Sequence, residues 1–280
     1  MTRVEHARLT GERALFFGTG LDITDTIFAD GESPLKHGSN LDLDHVLFEW
    51  KYPMWYTRNV RVKDSALLEM ARSGPWYVEN MSLTDTLISS PKTFRRSKGI
   101  TLTGVDMPNA AETLWHCSDV TLDRVSASGD YFGMDSSSIK ATHFRLSGNY
   151  LFDGGSDIEV CDSTILSKDA FWNCENVVVR DSLIVGEYLG WNSRNLTFIN
   201  CTIESLQGLC YIDNLVMKNC RLLNTTLAFE YSTGIDAELV GSVDSIINPG
   251  SGVIRCGSVG ELILDDEKVD HSLTRIITSE

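Results

Sequence analysis

Asn176-Val177-Val178-Val179 and Asn195-Leu196-Thr197-Phe198 stand nineteen residues apart, and Asn59-Val60-Arg61-Val62 repeats the unit far upstream. In each, an Asn precedes two apolar residues separated by one position. Taking the first apolar residue as a phase marker gives Leu41, Val60, Met81, Ile100, Val120, Ile139, Ile158, Val177, Leu196 and Leu215, with gaps of 19, 21, 19 and 20 followed by five of 19. A fixed period of this length means a solenoid, in which each turn covers the apolar side of the next.

The columns show what one turn is made of. Two residues past the marker stand Leu43, Val62, Leu83 and Leu102, and seven past it Phe48, Leu67, Ile88 and Met107, so both positions point inward. Between them comes a polar column with His45, Asp64, Asp85 and Gly104, and just before the marker another with Asn59, Asn80 and Gly99. Short apolar pairs of period two, separated by Asn, Asp and Gly, read as strands joined by left-handed corners. The fold class is therefore all-β, a right-handed parallel β-helix of roughly 11–13 short coils with irregular end caps. Eighteen-residue hexapeptide coils of the left-handed kind fit neither the period nor the unequal corners. The beat of Asn200-Cys201-Thr202-Ile203 leaves a four-sided pentapeptide-repeat coil as the competing form.

One domain over 1–280 accounts for the chain: a cap and first coil at 1–20, regular coils at 21–233, and closing coils with a cap at 234–280. The N-terminus lacks an apolar targeting segment and no run of eighteen apolar residues exists, which predicts a cytosolic protein without membrane contact. Seven Cys without CxxC spacing predict reduced thiols that fill the core, with Cys201 and Cys220 one period apart, and neither a metal site nor a cofactor. A formal net charge of −15 argues against nucleic acid as a partner.

Chemistry concentrates on the third side of each turn, expected as a strand. Five of the six Trp fall in one column, Trp55, Trp76, Trp115, Trp172 and Trp191, interrupted by Arg95 and Asp153. Two orientations are open: an inward aromatic stack, or an outward platform able to stack on sugar rings. Strand alternation turns the flanking columns the other way, one with Lys92, Glu112, Tyr131, Tyr150, Asp169 and Tyr188, the other with Arg96, His116 and Asp135. A His beside a carboxylate can move protons and an Arg can hold a substrate carboxylate, which makes His116, Asp135 and Glu112 the candidate catalytic residues. Candidate ligand-binding residues are Arg95, Arg96, Lys92, Tyr131, Tyr150, Asp169, Tyr188, Trp115, Trp172 and Trp191. The bland alternative is a solvated ladder of alternating charge.

The segments Lys51-Tyr52-Pro53-Met54-Trp55, Ser167-Lys168-Asp169-Ala170-Phe171-Trp172, Gly186-Glu187-Tyr188-Leu189-Gly190-Trp191 and, most specifically, Ser242-Val243-Asp244-Ser245-Ile246-Ile247-Asn248-Pro249-Gly250-Ser251-Gly252 resemble a bacterial family of about this length. That family is known only as a domain of unknown function, grouped with the pectin-lyase-like right-handed β-helices. The resemblance covers essentially the whole chain and includes the Tyr-x-x-Trp beat and Arg95, but not His116 or Asp135. It implies the fold and leaves the activity open. The expected function is binding of a carbohydrate or other small polar ligand, with hydrolase, lyase or isomerase chemistry open. The alternative is a non-catalytic rod or interaction scaffold that self-assembles through a flat sheet face. Against catalysis, coils of 19–21 residues have no long loops to wall a cleft, and the paired carboxylates and Gly-His-Gly turn of polygalacturonases are absent.

Overall fold

Six-residue strands such as Ser39–Asp44, Arg58–Lys63, Glu79–Thr84 and Lys98–Thr103 recur once per turn and pair in parallel with their successors. The structure, a computed structural model, describes residues 2–279. It is an all-β parallel solenoid of about 15 turns, and among the described residues its one helical element is the 3-10 turn His271–Leu273. The tally of phase markers is the register: Leu41 lies opposite Val60, Val60 opposite Met81, Met81 opposite Ile100 and Ile100 opposite Val120. The same holds for Ile158, Val177, Leu196 and Leu215. Contacts cluster into two compact units, Met1–Lys140 and Ala141–Glu280.

In the first unit the stack begins at once, since Thr2–Glu5 pairs with the strand Thr19–Thr24. In the second, the first sheet continues through Ile235–Leu239, Gly252–Cys256 and Thr274–Thr278, while Val243–Ile247 and Val259–Ile263 pair separately. A second sheet is built from shorter strands, two residues long at Leu47–Phe48 and Ala66–Leu67, whose Phe48 and Leu67 are fully buried. Phe28 and Phe48 stack in this core at 4.9 Å and 4°.

Left-handed backbone recurs where the sequence places corners. His6, Asp25, His45, Asp64 and Asp85 all have positive φ, and so do Asn40, Asn59 and Asn80. Asn and Asp occupy this region at the least cost after Gly because their short polar side chains bond locally. Here they also bond along the stack: the Asn59 amide donates to Asn40 at 3.1 Å, Asn195 to Asn176 and Asn214 to Asn195 at 2.9 Å. Corners interrupt the strand ladder, and buried hydroxyls satisfy the backbone there. Ser136 Oγ accepts from the Cys117 amide at 2.8 Å and donates to the Leu114 carbonyl at 2.6 Å, and Ser193 serves Cys174 and Phe171 likewise. This explains buried Ser, Thr and Cys at inward positions. Six of the seven Cys are buried, Cys161 is half-buried, and all are free thiols.

The third side corrects the expectation of a strand. It is a turn: Lys92, Phe94 and Arg96 have φ of 60°, 56° and 49°, and pairing is reduced to the isolated bridges Trp76–Arg95 and Arg95–Trp115. Alternate left-handed residues abolish the two-residue pleat, so the inference that the flanking columns face away from Trp fails with it. Thr93 and Phe94 are buried, whereas Lys92, Arg95 and Arg96 all reach the outside.

Candidate functional site

The five column Trp are outside the core, half-buried, each packed on the turn next to it. Trp55 Nε1 donates to the Ser73 carbonyl, Trp76 to Lys92 and Trp115 to Tyr131, each at 2.7 Å, and Trp172 to Tyr188 at 2.6 Å. The acceptors Ser73, Lys92 and Tyr131 are left-handed residues of the following turn. In these four turns the indole N–H fastens a side that has no strand ladder, whereas, among the described residues, Trp191 Nε1 is buried without a partner.

Stacking uses up the ring faces. In the first unit Trp55 lies on Trp76 at 5.0 Å and 8°, and the Arg95 guanidinium lies 5.1 Å from the Trp76 ring and 4.2 Å from that of Trp115. A second ladder runs beside it, with His37 on Tyr56 at 5.0 Å and Tyr56 on Tyr77 at 4.6 Å. The proposed platform therefore presents ring edges, with its faces buried against one another.

Arg95 binds the Glu112 carboxylate, and Lys92 Nζ reaches the other oxygen of Glu112 at 3.1 Å. Partial burial pushes the Glu112 carboxyl up, but hydrogen bonds and charge from Lys92 and Arg95 outweigh it and hold the group below its ordinary value. Glu112 is thus an ionised, doubly paired carboxylate, a poor proton donor at neutral pH. His116 Nδ1 lies 3.7 Å from Asp135 Oδ2, both exposed, too far for the hydrogen bond that would fix a tautomer. Arg96 is exposed and, among the described residues, has no ion pair; Tyr131 packs edge-on to Trp115 at 6.3 Å. The structure therefore joins Lys92, Arg95, Glu112 and Trp115 in one cluster and leaves His116 with Asp135 as an exposed pair.

In the second unit Trp172 stacks on Trp191 at 5.6 Å and 13°, Tyr150 meets Trp172 edge-on at 5.7 Å, and Tyr188 tilts against Trp191 at 5.5 Å. Asp169 is 2% exposed. Burial pushes that carboxyl up, with Lys168 opposing and Glu187 and Asp153 adding to the rise.

Two features escaped the sequence reading. A groove of about 560 Å³ runs on the outer surface of the first sheet, lined by Asn40, Asn59, Asn80, Asp42, Arg61 and Ser82. Its signal was the Asn column, which reads equally well as corners alone. Two corner clusters, Asp44–His45–Asp64 and Cys161–Asp162–Asp181, each bring three ligand-type atoms within 4.8 Å of one another. Asp64 is already paired with Lys63 at 2.9 Å, and the Cys161 thiol donates to Asp162 at 3.1 Å. No helix of the described residues is long and apolar enough to cross a membrane.

Turn register, stacked corners and outward aromatic ladders together define a parallel β-solenoid protein. The chain belongs to the family described as Protein of unknown function (DUF3737), whose profile matches residues 2–277. No curated protein matches it. Among solved structures it is similar to the A-module of mannuronan C-5 epimerase AlgE4 from Azotobacter vinelandii, at 11% identity over 98% of this chain and 88% of that one, TM-score 0.33. It is also similar to the pentapeptide repeat protein HetL from Nostoc, at 10% identity over 84% and 82%, TM-score 0.28. A third likeness is to the Streptococcus pneumoniae surface protein and adhesin PfbA, at 10% identity over 98% and 91%, TM-score 0.29.

Proposed function

We propose that the protein is a non-catalytic binding module that holds a polar ligand across the turn side of the solenoid. The observation that carries this reading is the gathering of half-exposed Trp and Tyr with charged groups on that one side, while the groups expected to do chemistry stand apart. Glu112 is committed to two cations and His116 is too far from Asp135 to be oriented by it. Because the indole faces are covered, a carbohydrate would lie across ring edges, Tyr hydroxyls and carboxylates rather than stack flat.

A screen of intrinsic Trp emission against oligosaccharides, uronates, amino sugars and small amines tests the reading. Saturable change lost in a Trp172→Phe, Tyr188→Phe double variant of unchanged circular dichroism is expected; no response to any compound removes the proposal. Turnover that disappears in His116→Ala would replace it with the enzyme reading.

A second reading has its own observation. Leu166, Leu183, Leu206 and Leu223 are 39–49% exposed on or beside the second sheet of the second unit, an apolar surface suited to self-association. Light scattering that shows a monomer at all concentrations would discard it.

A further inference from the structure

The Asn row along the first sheet of the first unit is closed at neither end. Asn40 stands beside Asn59 and Asn59 beside Asn80, as fixed by the pairing of Leu41, Val60 and Met81. The Asn80 amide donates to Asn59 Oδ1 at 3.3 Å and the Asn59 amide to Asn40 Oδ1 at 3.1 Å, so the bonds all point one way. The next corner on either side is a glycine, Gly20 beside Asn40 and Gly99 beside Asn80, with φ of 62° and 70°. The row therefore ends on Asn80 Oδ1, an acceptor whose neighbour one turn on has no side chain to donate. A Cβ at Gly99 would stand 2.7 Å from that oxygen, so the glycine keeps it uncovered.

Asn80 and Gly99 both line the groove of about 560 Å³, a volume within the range of small-ligand sites. Across it from the row, over the same four turns, lie Asp42, Arg61, Ser82 and Thr101. The two charges there are spent on each other, since Arg61 Nε and Nη2 hold both Asp42 oxygens, the latter at 2.6 Å. What is left for a ligand is neutral: the second N–H of each carboxamide, two hydroxyls and the open acceptor. The corresponding row of the second unit also stops before a glycine, Gly234, but runs beside Val178 and Val216. An ion entering the first groove would have to part Arg61 from Asp42, whereas an uncharged chain of hydroxyls offers donors and acceptors together. Spacing favours the same class. The Asn side chains repeat once per turn, about 4.8 Å, close to the advance of one six-membered sugar ring; an extended peptide shows the same edge only every second residue, roughly 6.6 Å, and falls out of step.

We propose that this groove binds a neutral linear oligosaccharide, which lies along the Asn row, donates a hydroxyl to Asn80 Oδ1 and so extends the row across the gap left by Gly99. The added bond polarises the carboxamides already joined, which strengthens the row as the ligand completes it. This is a second site, separate from the turn side, and its lining belongs wholly to the first unit.

The test is titration of the full chain with maltotriose, cellotriose and mannotriose, read by the side-chain amide resonances of Asn59 and Asn80. Saturable shifts are expected with at least one of them, and weaker binding of trigalacturonate, whose carboxylates meet no free cation in the groove. Gly99→Asn should weaken affinity at least about tenfold, because the new carboxamide takes the Asn80 acceptor and fills the gap. Asn tolerates a left-handed corner, so this variant keeps the fold and separates lost binding from lost structure. Asn195→Ala, an excision from the second unit's row, should leave affinity unaltered, as should the Trp172→Phe, Tyr188→Phe double variant. Absence of saturation by all three neutral trisaccharides to about 20 mM overturns the site, as does binding undiminished in Gly99→Asn. Equal or tighter binding of trigalacturonate, or of a blocked Gly-Ser-Gly tripeptide, overturns the assignment to a neutral saccharide. If Trp emission still responds to a ligand in any of these events, the turn-side module stands and only the groove falls.

Discussion

Replacing Arg95 with Ala should destabilise the protein by about 2 kcal/mol. The guanidinium lies between two indoles, 5.1 Å from Trp76 and 4.2 Å from Trp115, and each contact at a half-buried position is worth about 1 kcal/mol. Its ion pair with Glu112 adds about 1 kcal/mol, a figure kept low because the two side chains are 21% and 31% exposed. Against these stands Arg95 Nε, buried without a partner, whose removal returns about 1 kcal/mol. Urea unfolding of the wild type, Arg95→Ala, Glu112→Gln and the double variant measures both the loss and the coupling. Hydrogen exchange around 76–134 should locate the effect in the adjoining turns, since solenoid interactions reach only neighbours. The pH dependence has a definite sign. Glu112 is held below its ordinary value, so its contribution is present above the unfolded value of 4.5 and is lost as pH falls through the lower folded one. Arg95→Ala should shrink that acid-side loss, with Lys92 keeping part of it. A destabilisation below about 0.5 kcal/mol, the usual range of a surface change, would refute the view that the sandwich holds these turns together.

Three further outcomes follow from named contacts. Asp169→Asn should stabilise the protein by about 1 kcal/mol at neutral pH, as burial and the charges of Glu187 and Asp153 disfavour the ionised carboxylate. The carboxyl is raised from its unfolded value of 3.8, so the penalty is absent below that value and grows as pH rises through the folded one; thermal melts in acid should show the two proteins converging. Under native conditions Ellman's reagent should titrate Cys161 alone, and slowly, because burial shields the other six thiols while the hydrogen bond to Asp162 pushes the Cys161 thiol up; Cys161→Ser should leave no rapid reaction. Gly99→Asn should be neutral or stabilising by up to about 0.5 kcal/mol, since Asn tolerates the left-handed corner and can join the ladder at Asn80, whereas Gly99→Val should cost about 2 kcal/mol at φ 70°. Chemical melts of the pair distinguish the two.

The columns through Leu41, Val60 and Met81, the corners at Asn59 and His45 and the inward Cys201 and Cys220 could be read without coordinates because each follows from local rules repeated every turn: apolar side chains inside, left-handed backbone where Asn, Asp or Gly recurs. The Trp column was equally visible, but its direction was not. Period-two alternation governs side-chain direction only on a pleated strand, and Phe94 and Arg96 break the pleat. For the same reason Glu112 and His116, adjacent on paper as one acid–base cluster, separate into a carboxylate paired with Arg95 and Lys92 and an exposed His–Asp pair.

By itself the sequence determined the solenoid, its register and its composition turn by turn, since the spacing of identical environments is a property of chain length alone. Only the tertiary structure decided which side chains face solvent, which ring faces are spent on one another, and that Asp169 is buried whereas Glu112 is held by Arg95 and Lys92. Those outcomes depend on backbone dihedrals at a few turn residues and on electrostatic partners one turn away, and neither is encoded by periodicity.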